Sequence, residues 1–63
     1  MPILRNWNVH RYYSQVHQKE MIYLVGRVYN DSRFKDGTEI RTSAVLEMRD
    51  STARTQNTTY ILE

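Results

Sequence analysis

The run Met21-Ile22-Tyr23-Leu24-Val25-Gly26-Arg27-Val28-Tyr29 constrains this chain more than any other stretch. β-Branched and aromatic residues dominate it, the types that pack well on a pleated surface. In an extended backbone Ile22, Leu24, Gly26 and Val28 share one face. Met21, Tyr23, Val25, Arg27 and Tyr29 share the other. Both faces are largely apolar, which predicts a central strand or one covered by a partner subunit. Gly26 inside such a strand predicts a bulge, a barrel bend or the close approach of another backbone.

The rest of the chain reads as β around this run. Met1–Asn6 is a short lead-in. From Trp7 an alternation sets in, with Trp7, Val9 and Arg11 on one side and Asn8, His10 and Tyr12 on the other. Ser14–Glu20 is polar apart from Val16 and reads as a hairpin connection. Asn30-Asp31-Ser32 can turn onto its own backbone, and Asp36-Gly37 is a tight-turn signal, with Phe34 between them folding back as a plug. Glu39–Arg49 alternates as one half-buried strand, Asp50-Ser51-Thr52 turns, and Ala53–Leu62 closes the chain with a bulge near Asn57-Thr58. The expected fold is an all-β single domain over residues 1–63. Four to five antiparallel strands form a meander, as a curved sheet or small open barrel.

At 63 residues the chain has room for one core, and a chain this short buries only roughly 60% of the surface its unfolded form exposes. Domains of this size usually rely on a disulfide, a metal or a partner. There is no cysteine, so disulfides, thiolate metal sites and a cysteine nucleophile are excluded, and a homo-oligomer is the expected route to stability. No apolar run approaches the roughly 20 residues of a membrane span, and Met1–Trp7 has no apolar leader. A soluble, cytoplasmic protein is the expectation.

The chemistry points to binding. Ser14 and His17 are near in sequence, but on a polar turn without a carboxylate to complete a nucleophile–base set. Asp31 with Asp36, and Glu39 with Glu47, lack metal-ligand spacing, and two glycines make no phosphate loop. No catalytic residue, metal or cofactor is expected. The net charge is only +2, yet seven of the nine basic residues are arginine, which grips phosphate through a planar fork and stacks on rings. Codon usage that favours arginine would produce the same bias. The candidate site gathers around the 30–37 turn. Arg27, Arg33 and Arg41 would meet phosphates, and Asn30, Asp36, Thr42 and Ser43 polar edges. Trp7, Tyr29 or Phe34 would stack on a base, a contact worth about 1–3 kcal/mol. Each has an ordinary structural use too: turn former, strand residue or core.

Gly26-x-Val28 … Phe34-x-Asp36-Gly37-x-x-Ile40-x-Thr42-Ser43, followed by Thr55-x-Asn57-Thr58-x-Tyr60-x-Leu62, resembles a group of very short phage and bacterial proteins sharing a G-x-V-x(5)-F-x-D-G-x-x-I-x-T-S core. It is also similar to small phage "sponge" proteins that sequester nucleotide immune signals of bacterial anti-phage systems. The similarity runs over residues 24–62; the first 20 residues carry none of it. The resemblance implies an oligomeric, non-catalytic β protein. It would hold a cyclic nucleotide or ADP-ribose derivative in pockets between subunits, as a phage counter-defence. Two other readings use the same residues. One is a small-barrel nucleic-acid binder; the other is an interaction module that pairs its sheet edge with a host protein.

Overall fold

A computed structural model describes all 63 residues. Strands β1 (Ile3–Ser14) and β2 (Lys19–Tyr29) form one long antiparallel hairpin. Its tip is closed by the Ser14 hydroxyl, which accepts the His17 amide at 3.2 Å, and by Gln18 at a φ of 54°. The Met1–Asn6 lead-in is therefore strand from Ile3 onward.

The register runs regularly from Ser14↔Lys19 to Asn8↔Val25, then shifts before Arg5↔Arg27. Two residues of β1, Asn6 and Trp7, oppose the single Gly26: a β-bulge, with Asn6 left-handed at a φ of 53°. Gly26 is needed because a Cβ there would lie 2.9 Å from the Arg5 carbonyl oxygen and 3.0 Å from Trp7 Cα. The inserted residue changes the parity of β1. Leu4, Trp7 and Val9 consequently share the face of Val28, Gly26 and Leu24.

β3 (Thr38–Arg41) pairs antiparallel with the C-terminal half of β2. β4 (Val45–Arg49), β5 (Thr52–Thr55) and β6 (Thr59–Leu62) then follow as antiparallel neighbours. β6 returns parallel to β1, with Ile3↔Ile61 and Leu4↔Leu62. The result is one open mixed sheet in the order β3-β2-β1-β6-β5-β4. β3 and β4 stand at its two ends, although only Thr42, Ser43 and Ala44 separate them in sequence. Four residue steps span at most about 14 Å, so the sheet must curl until its ends approach. Leu4, Leu24, Val28, Val45, Ala53, Tyr60 and Leu62 fill the curl, with Trp7, Ile22 and Ile40 packed against them.

The all-β expectation holds, and four finer expectations are corrected. The sheet is mixed and has six strands, where an antiparallel meander of four to five was expected. Glu39–Arg49 is two strands, because Thr42 takes the last pairing position on β2 and the chain then crosses to the far end of the sheet. Ala53–Leu62 is a hairpin: Thr55 and Thr58 bond each other twice through the Thr55 hydroxyl and reverse the chain. Phe34 is no plug, being 39% exposed.

Candidate functional site

Cross-strand partners put their side chains on the same face of a sheet. The pairs Tyr12↔Met21, His10↔Tyr23, Val25↔Arg41, Arg5↔Arg27 and Arg27↔Glu39 therefore define the outer, convex face. At its centre lies Tyr23. The His10 ring stacks on it, 5.2 Å between centroids and 14° from parallel. Tyr12 tilts against it at 5.8 Å, and the Arg41 guanidinium lies 5.3 Å from the Tyr23 centroid. Tyr12 is fixed from below by its hydroxyl, which donates to the Met21 sulfur at 3.9 Å.

Beside this cluster opens a cleft of about 410 Å³, lined by Tyr12, Tyr23, Arg41, Thr42, Ser43 and Ala44. Two aromatic rings form one wall and the chain crossing from β3 to β4 forms another. Thr42 anchors that crossing. Its amide donates to the Leu24 carbonyl at 2.8 Å; its hydroxyl accepts the Leu24 amide at 3.0 Å and donates to the Ser43 carbonyl at 2.9 Å. On the other side of the crossing, a smaller cavity of about 140 Å³ is shared by Arg41, Thr42 and Ser43 with Arg33, Phe34 and Tyr60.

Arg41, Thr42 and Ser43 thus meet at the cleft, and Arg33 and Phe34 join them at the adjoining cavity. Other expected site residues lie elsewhere. Trp7 packs against the core. Arg27 and Tyr29 are farther along the outer face, Arg27 donating to the Gly37 carbonyl at 2.9 Å and Tyr29 lying under the Arg5 guanidinium at 5.0 Å. Asn30 and Asp36 close the 30–37 loop on itself: the Asn30 amide donates to Asp36 Oδ1 at 2.9 Å, with Asn30 left-handed at a φ of 61°.

Arg33 is also tied into this loop. It grips Asp31 with two side-chain bonds, of 3.1 and 2.8 Å, adds its own amide at 2.9 Å, and reaches the Tyr60 hydroxyl at 3.3 Å. Those side-chain bonds, then the amide, hold the Asp31 carboxyl below the usual carboxylate range. The same bonds, Asp31 first and Tyr60 second, raise the Arg33 guanidinium above its ordinary value.

Sequence reasoning missed Tyr12, Tyr23 and His10. A signal existed, since His10 and Tyr12 alternate on one face of β1 and Tyr23 lies on the outward face of β2. The hairpin register that joins them was not readable. Ser14 Oγ and His17 Nδ1 do lie 3.1 Å apart, on an exposed turn. No group of three or more His, Asp or Glu residues is placed to hold a metal ion. No family model matches the chain, and no curated protein or solved structure matches it significantly.

Proposed function

We propose that the protein is a non-catalytic binder that captures a nucleotide-derived signalling molecule, a cyclic nucleotide or ADP-ribose derivative. It withholds this signal in the cytoplasm of an infected cell as a phage counter-defence. The observation that carries the reading is the Tyr23 cluster: stacked rings with an arginine over them, opening on a cleft. Such a surface takes a flat base, worth about 1–3 kcal/mol per stacked base, and sets a cation beside its phosphate. The Ser14–His17 contact has no carboxylate hydrogen-bonded to the imidazole, which favours capture over turnover.

The test is calorimetric titration with cyclic dinucleotides and cyclic ADP-ribose isomers. Bound ligand should come back chemically intact on denaturation, and Tyr23→Ala should remove binding while leaving the circular dichroism spectrum unchanged. Silence from every nucleotide, with a folded protein, sinks the reading. Self-association belongs to the same proposal. It is supported by Val9, Tyr13, Leu46 and Met48, apolar residues that remain 41–61% exposed. Light scattering that returns the mass of one chain at every concentration removes that part.

One observation favours single-stranded nucleic acid as a second reading. The outer face continues from Tyr23 through Arg27 to the Arg5–Tyr29 pair, a stripe of rings and arginines across β1 and β2. Affinity that grows with strand length and falls steeply with salt would select it.

A further inference from the structure

Seven arginines stand in the chain, and five have a hydrogen-bonded or ion-paired partner in it: Arg5, Arg27, Arg33, Arg49 and Arg54. Arg11 and Arg41 have none; of the two only Arg41 lines the cleft, where its guanidinium overlies Tyr23. It therefore faces the cleft with its donors unspent, and no carboxylate lines that cleft.

The neighbouring backbone is unspent too. Beyond Thr42 the crossing pairs with no strand, and the Ser43 and Ala44 amides donate to no acceptor in the protein. The Ser43 hydroxyl has no partner either, whereas its carbonyl is held by the Thr42 hydroxyl. This contrasts with the interior, where every buried side-chain polar atom is satisfied. A half-buried wall with two amides, a hydroxyl and a guanidinium, all donors, is complementary to an anion. Charge-assisted bonds to such a group are the strong ones.

We infer that the Thr42–Ala44 crossing is a phosphate seat, taking a phosphate ester whose aromatic ring lies against Tyr12 and Tyr23. The seat lies within one chain. This rests on the reading of the cleft as a nucleotide site, and assigns the two ends of the ligand to opposite walls.

Amide-resolved NMR titration separates the two, using AMP, adenosine and inorganic phosphate at constant ionic strength. AMP and phosphate should shift the Ser43 and Ala44 amides, whereas adenosine should shift only signals around Tyr12 and Tyr23. Arg41→Gln should weaken AMP about tenfold or more and adenosine far less, a split that a merely structural arginine would not produce. If AMP moves the tyrosine signals but Ser43 and Ala44 respond no more than they do to adenosine, the seat is refuted and the nucleotide face stands. If neither AMP nor adenosine moves any signal of the cleft, both are refuted.

Discussion

Replacing Gly26 by alanine sets two effects of opposite sign against each other. Gly26 does not occupy the left-handed region, so alanine can adopt its backbone conformation. On that count the change should stabilise by about 0.4–1 kcal/mol, by restricting the unfolded chain. Against this, the added methyl would meet the Arg5 carbonyl oxygen at 2.9 Å, and the Cα and Cβ of Trp7 at 3.0 Å each. Two of these three atoms are backbone, held by the bulge, so no rotamer change relieves the contact. Overpacking of this kind costs about 1–3 kcal/mol, and it wins. A net loss of roughly 1–2 kcal/mol is expected for Gly26→Ala. With a urea slope near 1 kcal/mol/M for so small a protein, the midpoint should fall by about 1–2 M. Trp7, the only tryptophan, lies at the bulge and reports the transition by fluorescence. Gly26→Val adds two further methyls and should consume most of the ~3–5 kcal/mol that a core of this size supplies. A Gly26→Ala protein with an unchanged or higher midpoint would refute the close approach. It would leave the position of Trp7 without a cause.

Three further outcomes are expected. Asn6→Val should cost about 1–2 kcal/mol, because a β-branched residue is forced to a φ of 53°, while Asn6→Gly should not destabilise; equal melting temperatures for the two would contradict the bulge. Thr42→Val should cost about 1–3 kcal/mol in chemical unfolding, since the Leu24 amide loses the hydroxyl it donates to; a neutral result would mean that this bond is not formed. Arg33→Ala should raise the Asp31 carboxyl toward its ordinary value, read from its carboxyl carbon shift. Because the folded value is the lower one, the Asp31–Arg33 contribution is present above the unfolded value near pH 3.9 and is lost as pH falls through the folded value. Stability of the wild type should thus decline more steeply below about pH 4 than that of Arg33→Ala, and parallel curves would show that the pair is not linked to folding.

What the sequence could and could not disclose follows from how far apart the causes lie. Gly26, the Asn30 turn and the Asp36-Gly37 turn announce themselves locally, and each does what its residue type implies. The end of β3 does not, because Thr42-Ser43-Ala44 continues the alternation that a strand would show. The break comes from Leu24, eighteen residues away, whose amide and carbonyl are both taken by Thr42. The parallel return of β6 beside β1 has no local signal at all, since it joins the two ends of the chain.

The candidate site is half legible for the same reason. Arg41, Thr42 and Ser43 are contiguous and could be read together, whereas Tyr12 and His10 reach Tyr23 only through the register of the β1–β2 hairpin. The alternation that puts Trp7 with Val9 and Arg11 holds, and that face is the inner one around the core. Asn6 then decides which residues accompany it. Without the inserted position Leu4 would turn outward and Arg5 inward, placing a guanidinium in the apolar curl. The burial of Leu4 and the freedom of Arg5 to lie over Tyr29 are therefore two consequences of one bulge. The core and the outer aromatic face are set by the same residue of β1.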